Sequence, residues 1–273
     1  MSNVEIGIFN IGRTMVDREE VKRWMEHIGA NEYEIPNESI TSNPALLIAL
    51  AAKRCYMSFE PGLNPNVTKV RKDMVAYFDN ILQSGHGSVL EHSVYNFAIE
   101  GVSRVFTAEM NRHRAGWAIS EGSLRYIRFD KDIPWWLPTS LQPNETDDSD
   151  LAQRKVRTIE VFQQAFSHQE SCYAELLEIW DMESGHHNFH YKKVVTSCLR
   201  RIVGLGVATG GVWSGNMRAL RHVIAMRASE AAEEEIFHVF GRIAEIMIKR
   251  EPLLFGDFKP DEKGFWAPKH WKV

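Results

Sequence analysis

Four arginines and a histidine crowd residues 111–129: Arg112, His113, Arg114, Arg125 and Arg128. A guanidinium is a planar fork of donors that meets phosphate or carboxylate oxygens with two parallel hydrogen bonds, so this density suits an anionic ligand. Charge alone would equally suit a solvated face, because exposed ion pairs contribute little to folding. Trp117, Ile119, Leu124 and Tyr126 are interleaved with the charges, however, and Gly116, Gly122 and Ser123 lie among them. Apolar residues at that spacing bury part of the segment, which favours a pocket over an open charged surface.

The elements that must position these groups follow from hydrophobic period. Val4, Ile6 and Ile8 mark a strand in residues 2–10, and residues 43–56 read as a short helix rich in Ala and Leu. Residues 67–83 place Val70, Met74, Val75, Phe78, Ile81 and Leu82 at helical spacing, with Gly85 just past the end. Residues 93–101 alternate with Tyr95, Phe97 and Ile99 on one face, a strand, and the period turns helical from Val102 to Arg114. Pro134, Pro138 and Pro143 make residues 132–149 a loop. A long helix then carries the stripe Ile159, Phe162, Phe166, Tyr173, Leu177 and Trp180. A helix over 190–203, a strand over 206–214 and helices over 216–228 and 231–250 follow, with an irregular tail over about 252–273. The sum is an α+β fold, helices packed on a small, mostly antiparallel sheet, in a single domain over 1–273.

Composition narrows the partners. A net charge of -4 and a pI near 6.3 lack the basic footprint of a general nucleic-acid binder. No apolar run approaches a membrane span, and the first twenty residues do not form a signal peptide. Cys55, Cys172 and Cys198 are scattered and make no CxxC pair, which fits a reducing cytoplasm.

Four ordered blocks resemble the flavin-dependent thymidylate synthases. Arg112, His113 and Arg114, eight further residues, then Ser123 and Arg125 match that family's signature. AAKRCYMS (51–58), GHGSVLEH (85–92) and GNMRALRHVIAMRASEAAEEEI (215–236) match its remaining elements in order. The resemblance spans residues 50 to 236. It implies an enzyme that binds FAD and methylates C5 of a uracil nucleotide, dUMP to dTMP. Methylenetetrahydrofolate would donate the carbon and NADPH the reducing equivalents, in a homotetramer.

By position the resemblance also implies residue roles. Cys55, Ser88, Arg112, His113, Arg114, Asn216, Arg218 and His222 correspond to flavin-binding residues. Arg104, Glu109, Glu121, Ser123, Arg125 and Arg201 correspond to nucleotide-binding residues, although the adjacent Arg200 competes with Arg201. Arg227 corresponds to the arginine at the uracil ring, where a fixed guanidinium would stabilise negative charge developing on the ring oxygen and nitrogen. His86 corresponds to a histidine near flavin and nucleotide, in a positioning or proton-relay role. None of the three cysteines sits in a nucleophile's setting, and the flavin route needs none.

Departures bear on the sugar. Ser120 stands where many members have Asn, and RIVGLG (201–206) replaces Arg-x-x-Leu-Pro. A UMP methylase of nucleoside-antibiotic biosynthesis is therefore the alternative reading. A reading of another class, a metal-dependent nucleotide hydrolase, would rest on His186, His187 and His190. No carboxylate or cysteine follows them at ligand spacing, which favours a polar helix start. The third reading is a non-catalytic nucleotide-binding relative.

Overall fold

Side-chain caps mark where most helices begin. The computed structural model describes residues 2–129 and 132–273. Asp17, Ser42 and Asp73 accept hydrogen bonds from the open N–H groups of α1 (Arg18–His27), α2 (Asn43–Tyr56) and α3 (Met74–Gln83). Helix α2 spans the residues expected. Helix α3 starts later than its period suggested, because the Asp73 carboxylate takes the Val75 and Ala76 N–H groups and stops the helix there. Helix α1 had no counterpart in the sequence reading: it buries only Val21 and Met25, too thin a stripe to stand out among its charges.

Ser103 caps α4 (Arg104–Met110), and Asp148 caps the 31-residue α5 (Ser149–Ile179). Asn188 opens α6 (Phe189–Leu199), which gives way to a 3-10 turn at Arg200–Ile202 instead of running to 203. Asn216 opens α7 (Met217–Arg227) and Glu233 opens α8 (Glu234–Arg250), with a last turn α9 (Pro252–Phe255). Among the described residues no helix is long and apolar enough to cross a membrane.

The strands are β1 (Ser2–Asn3), β2 (Gly7–Arg13), β3 (Val94–Ser103), β4 (Trp117–Glu121), β5 (Pro134–Trp135), β6 (Ala208–Asn216), β7 (Phe258–Pro260) and β8 (Trp266–Pro268). Four of them form a sheet in the order β2-β3-β6-β4. Asn96 donates to Ser214 (2.6 Å) while Glu100 lies against Gly210, so β3 and β6 run antiparallel. The Asn216 N–H donates to Gly116 and the Gly122 N–H to Gly210, which sets β4 antiparallel to β6 as well. A short parallel pair, β1 with β5, stands apart. Strand β4 lies inside the arginine-rich stretch, and its alternating half-buried residues Trp117, Ile119 and Glu121 obey the strand period. The tail is not irregular. Residues 258–268 form an antiparallel hairpin, closed where the Asp261 carboxylate accepts from the N–H groups of Lys263 and Phe265.

The chain divides into two compact units. The first comprises the residues up to Gly7, Ala98–Arg112 and Ile119–Val212; the second comprises Ile8–Phe97, His113–Ala118 and Trp213–Val273. In the first, Trp135 stacks on Phe166 at 3.8 Å between ring centroids, within a core that includes Tyr173, Leu177, Val195 and Leu199. The stripe of α5 is only partly used: Phe166, Tyr173 and Leu177 are buried, but Phe162 and Trp180 remain 38% and 45% exposed.

In the second unit, one core cluster packs Val21, Met25, Leu46, Leu50 and Phe59 together. There the buried Glu251 accepts from Ser42 Oγ and Tyr95 Oη, each at 2.5 Å. Burial pushes the Glu251 carboxyl above its usual range, against the pull of those two hydroxyls and of Arg13 and Arg250. A carboxyl with a raised folded pKa contributes stability below the unfolded value of 4.5 and loses it as pH rises through the folded value. Glu251→Gln removes that dependence. The melting temperature of the variant minus that of the parent is expected to rise from pH 4.5 towards neutrality; a constant difference would show that Glu251 does not titrate in this way.

Candidate functional site

In the first unit, β3 ends at Ser103, whose hydroxyl accepts from Val105 and Phe106 N–H and turns the chain into α4. The next residue, Arg104, is thereby aimed at the end of β4. One Nη of Arg104 donates to the Glu121 carboxylate and the other to the Gly122 carbonyl. The second oxygen of Glu121 accepts from Asn111 Nδ2 at 2.9 Å. Because a carboxylate can only accept, this bond fixes the amide orientation and leaves Asn111 Oδ1 as an acceptor. That oxygen and Arg104 Nε are buried without a hydrogen-bond partner among the described residues. Burial lowers the Arg104 pKa; Glu121 opposes this, and the like charge of Arg200 adds to it.

These groups border a cavity of about 660 Å³ whose lining includes Arg104, Asn111, Glu121, Ser123, Arg200 and Arg201. A pocket with three guanidiniums, one carboxylate and two hydroxyls, those of Thr107 and Ser123, suits a phosphorylated, hydroxyl-bearing ligand. Both Arg200 and Arg201 line it, and Arg201 also donates to the Ser197 and Cys198 carbonyls at the end of α6. Four of the nucleotide candidates of this unit, Arg104, Glu121, Ser123 and Arg201, are thus gathered. Glu109 and Arg125 are not among the lining residues; Arg125 is exposed and its Nε donates to Ser197 Oγ at 3.2 Å. Besides Thr107, Asn111 is a polar lining residue that the sequence reading missed. Its one signal was its place as the C-cap of α4, immediately before Arg112.

The second unit holds Cys55, His86, Ser88, His113, Arg114, Asn216, Arg218, His222 and Arg227; Arg112 closes a segment of the first. Gly116 adopts a φ of 76°, and a Cβ there would lie 2.7 Å from Ala219 Cβ and from Asn216 Nδ2. Glycine therefore lets the 113–118 segment lie directly on the start of α7. Arg218 and His222, one turn apart on α7, are both exposed, as is Arg114. Arg218 donates to Glu91 (2.7 Å) and to the Val273 carbonyl. His86 Nε2 lies 3.4 Å from Tyr56 Oη, next to the exposed Cys55. At the end of α7, Arg227 Nε donates to His113 Nε2 at 2.9 Å. Exposed guanidiniums, an amide and imidazoles within one unit match the chemistry of a dinucleotide cofactor with a pyrophosphate.

Among the described residues no group of three or more His, Cys, Asp or Glu side chains could hold a metal ion. His187 instead stacks on Tyr191 at 4.1 Å between ring centroids.

A family model described as thymidylate synthase complementing protein matches residues 38–253, a span that contains all four motif blocks. Flavin-dependent thymidylate synthase of Mycobacterium tuberculosis is 31% identical over 228 residues, 83% of this chain and 84% of the relative. The chain belongs to the flavin-dependent thymidylate synthase family. The enzyme of that name from Mycolicibacterium vanbaalenii is 30% identical over equal shares, and that from Corynebacterium diphtheriae 29% over 224 residues. Among solved structures, the UMP/dUMP methylase PolB from Streptomyces cacaoi bound with 5-Br dUMP superposes with a TM-score of 0.63 at 14% identity, covering 94% of this chain and 96% of PolB. At that identity the likeness establishes a shared fold: helices with a small, mostly antiparallel sheet.

Proposed function

We propose that this member of the flavin-dependent thymidylate synthase family methylates C5 of dUMP, with FAD as cofactor, methylenetetrahydrofolate as carbon donor and NADPH as reductant. The observation that carries this reading is the first-unit cavity, which gathers Arg104, Glu121, Ser123, Arg200 and Arg201 in a chain of this family. Arg104 and the Arg200–Arg201 pair would receive the 5′-phosphate, and Glu121 would accept from sugar hydroxyls. Bound flavin supplies the reducing equivalent. Arg112, His113, Arg114, Asn216, Arg218 and His222, with Cys55 and Ser88, would hold it, while Arg227 would face the uracil ring and neutralise charge gathering there. His86 would orient the ring or relay a proton, sharing its Nε2 with the Tyr56 hydroxyl.

A second reading, methylation of UMP, is favoured by one observation. Asn111 Oδ1 is a buried acceptor without a partner beside the nucleotide cavity, and a ribose 2′-hydroxyl is a donor that deoxyribose lacks. Assembly as a homotetramer is supported by the apolar residues that α5 leaves exposed, Leu151, Val156, Val161 and Phe162.

The test is a paired assay. Purified protein should carry flavin absorption that bleaches with NADPH, and should convert dUMP or UMP to its methylated base when folate is present. Colourless protein that takes up no added FAD would remove the reading. Ser123→Ala is expected to raise the nucleotide KM roughly tenfold, the value of about one hydrogen bond to a charged group, with turnover retained. Complete loss of turnover at normal nucleotide affinity would instead give Ser123 a chemical role.

A further inference from the structure

We propose that His113 is the positioning residue of Arg227, and that it acts as a neutral imidazole with its proton on Nδ1. The inference rests on the reading that Arg227 faces the uracil ring. By resemblance these two residues had separate tasks, one at the flavin and one at the nucleotide. They lie 114 positions apart, yet Arg227 Nε donates to His113 Nε2 at 2.9 Å.

Local structure builds this contact. Gly116, through its positive φ, lets its segment lie against Asn216 and Ala219, and the Asn216 N–H donates to the Gly116 carbonyl at 3.0 Å. The segment is therefore anchored on the first turn of α7, and His113 at its start meets Arg227, the last residue of the same helix.

The chemistry of the pair is one-directional. Guanidinium offers only donors, so His113 Nε2 must present its lone pair and the ring proton must sit on Nδ1. A doubly protonated ring would set N–H against N–H. Holding Nε fixes the plane of the guanidinium and leaves its Nη1–Nη2 edge directed away from His113. A free arginine side chain carries about 2 kcal/mol of rotamer entropy. Restraining it before substrate arrives makes the charge a preorganised one, which is the condition for stabilising a developing anion.

Two isosteres of the imidazole separate this role from a bulk structural one. The glutamine carbonyl can reach the position of Nε2; the asparagine side chain ends near Nδ1 and cannot. His113→Asn is expected to lower kcat by about 10²-fold with the nucleotide KM within about twofold, and His113→Gln to recover to within about tenfold of the parent. Equal losses in the two variants, or losses confined to KM, would overturn the proposal. The tautomer is tested on the unaltered protein by ¹⁵N NMR of labelled histidine, which should report a protonated Nδ1 and an unprotonated, accepting Nε2 for His113. A proton on Nε2 would overturn the proposal whether or not the protein methylates any nucleotide. Absence of methylation together with the Nδ1–H tautomer would count against the functional reading while leaving the His113–Arg227 contact standing.

Discussion

Replacing Arg227 with alanine is expected to cut methyl transfer by about 10²–10³-fold, the usual effect of deleting one preorganised charge or donor aimed at a developing anion. For C5 of a uracil to act as a nucleophile, negative charge must first gather on the ring oxygens and nitrogen, and Arg227 is the cation assigned to it. The residue ends α7 and is held through Nε by His113, so alanine removes the charge without cutting the helix. Flavin content, read from the visible spectrum, should stay close to that of the parent, and the loss should lie in kcat. Full activity in Arg227→Ala would show that another group carries the charge.

A loss of folding stability comparable in importance is expected from Arg221→Ala. Arg221 is 4% exposed and packs beside the stacked rings of Phe255 and Phe258, with its guanidinium carbon 5.8 and 4.9 Å from their centroids. It makes a two-pronged ion pair with Asp257 (2.6 and 2.9 Å) and donates to the carbonyls of Leu254 and His270. Burial alone would raise the Asp257 carboxyl, but the Arg221 hydrogen bond and charge hold it below its usual range. Removing one partner of a buried pair leaves the other charge unpaired and costs about 3–5 kcal/mol. At roughly 2–4 °C per kcal/mol for a chain of this size, the melting temperature should fall by about 6–20 °C. The comparison belongs at one protein concentration, because assembly also contributes to stability. A fall of about 2 °C or less would mean that the α9–β8 tail is held by its apolar contacts alone.

Arg221 also illustrates what could be read from sequence and what could not. Within residues 216–228 it looked like one more polar position of a helix, and the tail it fastens looked irregular. Both depend on partners such as Asp257 and His270, which are distant in the chain and which no local period encodes. Strands β3 and β6 and the extent of α2 were legible, because alternation and capping are local. Strand β4 was hidden because five residues carry a short alternation, set between the arginines at 112–114 and 125–128. The apolar stripe of α5 was legible, but not how much of it is buried: period shows which face is apolar, whereas what covers that face is not encoded in it.

The site divides in the same way. Arg104, Glu121, Ser123 and Arg201 were named from motif position and come to one cavity. Arg125, two residues beyond Ser123, does not; its Nε donates to Ser197 instead. Asn111 stands beside the motif, where its place at the end of α4 and its bond to Glu121 set it at the cavity wall. The pairing of His113 with Arg227 required the φ of Gly116, a backbone fact that residue type suggests but does not specify.

The most direct test of the central claim is a single-turnover experiment. Protein reduced with NADPH and freed of excess reductant is mixed anaerobically with methylenetetrahydrofolate and either dUMP or UMP, and the methylated nucleotide is quantified against flavin. The account predicts about one methylated base per flavin from at least one of the two nucleotides, and none when folate is left out. Fully reduced, nucleotide-saturated protein that yields no methylated base from either would contradict it.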